Sequence, residues 1–211
     1  MDNVDNVGDD AVAAVAGAVG KFDWRMLELE LRAGRRTPGG FDPDVGAAGH
    51  DFAKSRLDAW SRDDRVKCLG CESTVDRLVG ELRETTGSAA GRLVIRKKRL
   101  RDVDIPGGRL SLSLEAATHD AVPHGGATRR KCRWSYSVGP WRVDLTRVVP
   151  SADPDCDEAK YEVEVELADR DELFRTPLPE LLADGARVLR SVSERDASDA
   201  TVTTSCRGFA G

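Results

Sequence analysis

Residues 161–167 read YEVEVEL, and few patterns restrict a fold as much as this one. Valine and leucine at 163, 165 and 167 alternate with glutamates at 162, 164 and 166, a period of two that predicts a β-strand. Side chains two residues apart share a face, roughly 6.5–7 Å from each other. Three carboxylates in such a row repel one another unless positive charge lies between them. A solvated face usually mixes lysine with glutamate, so this stretch alone leaves open either a wet outer face or a charged interior.

The alternation recurs. In WRMLELELR (24–32), Met26, Glu28, Glu30 and Arg32 oppose Leu27, Leu29 and Leu31. In RLSLSLE (109–115), Ser111, Ser113 and Glu115 oppose three leucines. Lys131, Arg133 and Ser135 oppose Cys132, Trp134 and Tyr136, and Arg142, Asp144 and Thr146 oppose Trp141, Val143 and Leu145. An open sheet with one wet face gives the same alternation; the content of the polar rows is more telling. Two strands carry acids at successive positions, and two others carry basic pairs or an Arg-Asp-Thr row. Closing the sheet into a barrel would set acidic and basic rows facing each other across a lumen.

A chain of 211 residues supports one sizeable core. Hydrophobic content of 40% places it among globular proteins despite its many charges. A net charge of −5 excludes a global positive field that would draw it to nucleic acid or an anionic membrane. An anionic ligand would have to be held by local clusters, of which RLVIRKKRLR (92–101) and TRRKCR (128–133) are the candidates. Five cysteines without a regular framework predict reduced thiols and an intracellular protein, and the single CLGC (68–71) lacks the second pair of a structural zinc site. The apolar run AVAAVAGAV (11–19) is too short to cross a bilayer and follows acidic residues, so a soluble protein is expected.

Residues 1–10 read as a frayed terminus, 11–196 as one domain and 197–211 as a polar tail. Helices are expected over 11–20, 47–60 and 179–194, with a short one over Ser73–Val79, and 34–44 reads as loop. From Leu82 onward the chain reads as a series of strands. The last helix has the best amphipathic spacing and should pack on the sheet. The fold class is mainly β with flanking helices. His50, His119 and His124 lack metal-ligand spacing and read as surface residues, while Trp60, Trp134 and Trp141 read as packing anchors.

Carboxylate oxygens suit a hard divalent cation, and arginine and lysine suit phosphate oxygens. A lumen with both chemistries fits a metal–polyphosphate complex and phosphoryl transfer. LELELRAG, RLSLSLE, RKCRWSY, RVDLT and YEVEVEL, in this order, resemble the metal-dependent RNA 5′-triphosphatases of fungal, protozoan and viral mRNA capping, within the triphosphate tunnel metalloenzymes. The resemblance covers about Leu27 to Leu167 and implies an antiparallel eight-stranded tunnel with helices outside. It departs from the family pattern at Ala33, where an aromatic often precedes the loop glycine.

By motif, the resemblance implies that Glu28, Glu30 and Glu166 are ligands of Mg²⁺ or Mn²⁺ and that Glu115 positions or deprotonates water. Lys131 and Arg133 would hold the γ-phosphate, and Arg142 and Asp144 would form a charge network with Thr146 nearby. Glu162 and Glu164 would complete the acidic floor. Arg83 is the match for a further phosphate-binding arginine, with Arg92 and Arg96 as competitors. The implied substrate is triphosphate-ended RNA, with a separate guanylyltransferase acting next, in the nucleus or cytoplasm. Hydrolysis of tripolyphosphate or nucleoside triphosphates is the alternative within the superfold, and a non-catalytic phosphate-binding module is a third.

Overall fold

The computed structural model describes residues 7–88, 91–150 and 158–194; the expected C-terminal tail lies outside them. Among the described residues ten strands form in chain order: β1 Leu27–Ala33, β2 Arg35–Thr37, β3 Gly40–Asp42, β4 Lys67–Val79, β5 Leu82–Ser88, β6 Gly91–Ile105, β7 Gly108–Ala117, β8 Ala127–Val138, β9 Trp141–Pro150 and β10 Lys160–Leu167. The helices are α1 Asp9–Val19, α2 Gly46–Arg62, α3 Glu172–Arg175 and α4 Leu178–Ser193. Eight strands close into an antiparallel barrel in the order β1-β10-β9-β8-β4-β5-β6-β7, and β2 and β3 form a separate hairpin. Among the described residues, no helix is long and apolar enough to cross a membrane.

The barrel is apolar outside and charged inside. Leu27, Leu29 and Leu31 of β1, Leu110 and Leu112 of β7, and Val163, Val165 and Leu167 of β10 point outward and are buried under the helices. Helix α4 covers β1 and β10 with Leu181, Leu182, Ala186, Leu189 and Val192, while α2 adds Ala53 and Leu57. Each fully buried leucine stabilises by about 1.5–3 kcal/mol, and this outer layer holds the barrel closed. The inward glutamates are buried too: Glu30 is 4% and Glu164 7% exposed. The strands that read as half-wet are therefore buried on both faces.

The segment Ser73–Val79, expected to be helical, is the second half of β4. Thr74, Val75 and Val79 are β-branched, and the segment pairs with β5 on one side and β8 on the other. The stretch 34–44 contains the β2–β3 hairpin, and residues 24–26 form a 3₁₀ turn ahead of β1. A bulge between Arg99 and Arg101 resets the parity of β6, bringing Asp102 opposite Ser111.

His50 is the other correction. It is buried within α2, with its ring edge-on to Trp134 and Tyr161 at 5.7 and 5.3 Å between centroids. Neither ring nitrogen has a hydrogen-bond partner. His119 and His124 are exposed, as expected. Trp141 is a packing anchor: its Nε1 donates to Asp184 at 2.9 Å, and its ring lies against Gly185 of α4.

Two expectations follow from this packing. A Cβ at Gly185 would lie 2.6 Å from the Trp141 ring, so Gly185→Ala should lower the melting temperature although alanine is the better helix former by about 1 kcal/mol. Burial pushes the His50 pKa below its ordinary value. Its contribution to stability is therefore full above the ordinary histidine range and is lost as pH falls through that range towards the folded value. In pH-dependent denaturation, His50→Phe should remove that part of the acid sensitivity.

Candidate active site

The lumen encloses a cavity of about 200 Å³ lined entirely by charged side chains, six glutamates and seven arginines or lysines. Strand parity and register set their places. Strand β1 supplies Glu28, Glu30 and Arg32, with Glu30 directly across from Glu166 and Arg32 across from Glu164 of β10. On the other side of β10, Glu162, Glu164 and Glu166 face Thr146, Asp144 and Arg142 of β9. Strand β8 supplies Arg129, Lys131 and Arg133, β5 Arg83, β6 Lys97 and β7 Glu115.

Four charge clusters result. In the first, Lys97 pairs with Glu28 and lies 3.2 Å from Glu115, which also accepts from Arg83 at 3.0 Å, while Ser113 donates to Glu28 at 2.5 Å. In the second, Arg32 bridges Glu30 at 2.8 Å and Glu164 at 3.3 Å, and Arg133 approaches Glu164 at 3.9 Å. In the third, Arg142 holds Glu166 at 2.6 Å and Asp144 at 3.0 Å; Asp144 also accepts from Ser135 at 2.6 Å. In the fourth, Asp76 of β4 receives Lys131 at 2.6 Å, Arg129 at 3.3 Å and the Thr85 hydroxyl at 2.8 Å. Arg133 also donates to Thr146 at 3.3 Å.

Burial and charge pull these groups apart in acidity. Burial and the neighbouring Glu164 carboxylate push Glu30 well above the usual range. Burial likewise raises Glu162 and Glu166, each helped by further carboxylates. Burial opposes ionisation of Glu164 too, but Arg32, Arg133 and Lys131 outweigh it and hold Glu164 low. Glu30 therefore takes the proton when the two compete. Glu28 is also held low, because the Lys97 ammonium outweighs its burial. Lys131 drops to about 8, since burial and the flanking Arg129 and Arg133 outweigh Asp76. Burial opposes ionisation of Asp76, but Lys131, the Thr85 hydroxyl and Arg129 outweigh it and hold Asp76 low.

The donor chemistry fits a divalent cation. Glu30 and Glu166 are cross-strand neighbours, a placement that sets β-carbons about 4.5–5.5 Å apart, and Glu28 lies two residues away on the same face. Burial raises Glu30 and Glu166, and neighbouring carboxylates add to it, so a bound cation would offset what burial and those carboxylates cost. Among the described residues no three acidic, histidine or cysteine side chains converge as a ready cage; Lys97, Arg32 and Arg142 engage the three glutamates instead.

The residues singled out from the sequence come together here: Glu28, Glu30, Arg83, Glu115, Lys131, Arg133, Arg142, Glu162, Glu164 and Glu166 line the cavity, and Asp144 is buried behind it. Arg92 and Arg96 point outward, to Glu84 at 2.5 Å and Asp120 at 2.7 Å. Arg32, Lys97 and Arg129 belong to the lumen but were not among the expected site residues. Two of them share strand parity with a residue that was: Arg32 with Glu30, and Arg129 with Lys131. Lys97 is found only from its register opposite Glu115. Asp76 was hidden by the helical reading of its segment.

Residues 80–176 match the family described as the mRNA capping enzyme, beta chain. The chain is 30% identical over 185 residues to the 5′ RNA triphosphatase of Paramecium bursaria Chlorella virus 1, covering 81% of this chain and 90% of that one. It belongs to the metal-dependent RNA triphosphatase family of mRNA capping. The fold agrees. The S. pombe Pct1 RNA triphosphatase superposes with a TM-score of 0.68 at 19% identity, covering 90% of this chain and 94% of that one. A structure of the same yeast protein is in complex with the Spt5 CTD. The RNA triphosphatase domain of a mimivirus capping enzyme gives 0.54 at 12% identity, covering 80% and 90%. This RNA triphosphatase thus shares its closed tunnel with yeast and viral relatives.

The buried ammonium of Lys131 gives a pH test. As pH rises through about 8 its positive charge is lost, so KM for a triphosphate should rise. Lys131→Arg, charged throughout this range, should flatten that rise.

Proposed function

We propose that this chain hydrolyses the γ-phosphate of triphosphate-ended RNA, leaving the diphosphate end that a guanylyltransferase consumes in the next step of capping. The observation that carries this reading is a closed lumen in which the acidic rows of β1 and β10 adjoin basic groups of β8 and β9. Glu28, Glu30 and Glu166 would hold Mg²⁺ or Mn²⁺, which when bound supplies positive charge to the phosphate oxygens. Lys131 and Arg133 bind the γ-phosphate, Arg133 being oriented by Asp144 and Thr146. Arg83, Lys97 and Arg142 add donors along the phosphate chain. Glu115, held between Arg83 and Lys97, aligns water for in-line attack and accepts its proton. Glu162 and Glu164 fix the basic groups in place, Glu164 through Arg32.

Burial in a closed lumen strengthens each of these contacts and fixes them before substrate arrives, so little reorganisation accompanies the reaction. A second reading has its own support. The lumen lining is wholly charged, so it recognises a phosphate chain and offers nothing to a base; free nucleoside triphosphates and tripolyphosphate fit the same groups. Capping in a nuclear or cytoplasmic setting follows from the RNA reading.

Release of labelled phosphate from γ-labelled triphosphate-ended RNA is the test. Release with Mg²⁺ or Mn²⁺, abolished by chelator and leaving a diphosphate end, is expected. No release with any metal would make the chain a binding module. Turnover of tripolyphosphate alone would favour the second reading. Glu115→Gln should lower kcat on the order of 10²–10⁴-fold, and Glu30→Gln should be comparably severe, both with unchanged circular dichroism. Full activity in either variant would remove its assigned role.

A further inference from the structure

A second cavity of about 410 Å³ opens beside the lumen and shares Arg142 and Glu166 with it. Its remaining walls are Trp24, Arg25 and the segment Leu167–Asp171 that follows β10. A phosphate chain leaving the lumen past Arg142 on the Glu166 side emerges into this space; another opening past Arg142, lined by Leu69, Gly70, Cys71, Glu72, Arg133 and Ser135, offers no aromatic ring. The walls are built rather than loose. Asp23 caps the Trp24–Met26 turn by accepting from the Arg25 amide at 3.0 Å. The amides of Ala168 and Asp169 bond to the Pro140 carbonyl at 2.9 and 3.0 Å. Arg170 donates to the carbonyl of Arg25, which ties the turn to the segment after β10.

The surface so formed carries aromatic rings and a guanidinium among charges of both signs. Phe174 of α3 meets Trp24 edge-on, with ring centroids 5.4 Å apart. The Arg25 guanidinium lies 5.1 Å from the Trp24 centroid. Phe174 is 60% exposed and the Arg25 side chain 72% exposed. Of the acids nearby, Asp23 pairs with Arg25 at 3.5 Å, Asp169 is held by Arg175 at 2.9 Å, and Asp171 lies 3.9 Å from the same arginine. Bases unstacked from a single strand are taken up on such aromatic faces and guanidinium planes. At the far end of β1 the aromatic is otherwise engaged: Phe41 packs against Gly34 and beneath Arg109, whose guanidinium is bound to Asp104.

We propose that the ledge of Trp24, Arg25 and Phe174 docks the first nucleoside of triphosphate-ended RNA. This rests on the function proposed above and deepens it: the lumen reads the phosphates, and the ledge distinguishes RNA from a bare phosphate chain. With γ-phosphate held at Lys131 and Arg133, the chain runs towards Arg142 and delivers the nucleoside to the ledge.

The test compares kcat/KM for a triphosphate-ended RNA oligonucleotide with that for tripolyphosphate, in the wild type, Phe174→Ala, Arg25→Ala and Trp24→Phe. Phe174 and Arg25 are exposed, so their truncation does not disturb the core, and the conservative Trp24 change keeps a ring. The RNA-to-tripolyphosphate ratio should fall about 5- to 100-fold in Phe174→Ala, mainly through KM for RNA, and by less in Trp24→Phe. Equal effects on both substrates, or no effect on either, would overturn the ledge while leaving the RNA reading intact. A wild type that turns over tripolyphosphate but not RNA would overturn the RNA reading itself, and the ledge with it.

Discussion

An ionised side chain taken out of water must find an opposite charge or give up its own, and the barrel lumen is organised around that requirement. Against its burial, Glu164 is held low by Arg32 and Arg133, whereas burial and the neighbouring Glu164 carboxylate push Glu30 well above the usual range. Each lumen cation is tied to an acid on its own or a nearby strand. The substrate groups must therefore compete with internal partners. In the proposed reading, a polyanion near Lys131 and Arg133 would replace the negative charge that Asp76 and Asp144 supply. On the same reading, a cation near Glu30 and Glu166 would offset the cost of burying those carboxylates.

Such an interior contributes little net stability by itself, because desolvation offsets much of the attraction between paired charges. The apolar layer lies on the outside instead. Leucines and valines of β1, β7 and β10 meet the buried faces of α4 and α2, and Trp141 is locked between the barrel and Gly185. The fold thus separates its two tasks. The outer layer supplies cohesion, and the lumen is left free to be charged and rigid, as a site that stabilises charge by prior organisation requires.

Much of the site was legible because a strand has a period of two. In β1, β7, β8, β9 and β10, parity alone assigned Glu28, Glu30, Glu115, Lys131, Arg133, Arg142, Asp144 and the three glutamates of β10 to one face. Where parity had no clear pattern to act on, the reading failed. Asp76 sits in a segment whose Val75, Leu78 and Val79 spacing mimics a helical face, and only pairing with β5 and β8 makes it a strand. Lys97 lies in a run of basic residues that looks alike on both faces, so its register against Glu115 was needed to turn it inward. His50 resembled a surface residue because nothing nearby in sequence announces Trp134 and Tyr161 above its ring.

The sequence by itself determined which side chains share a face, because alternation along a strand is a local consequence of backbone geometry. It also determined the number and sign of the charges those faces carry. Which face would be inside was not local information. That depended on closure: β1 had to pair with both β7 and β10, and the leucine face had to be covered by helices formed far away in the chain. Only then did the acidic row of YEVEVEL become a lumen wall rather than a wet surface, because closing the barrel removed the water that a charged face would otherwise keep.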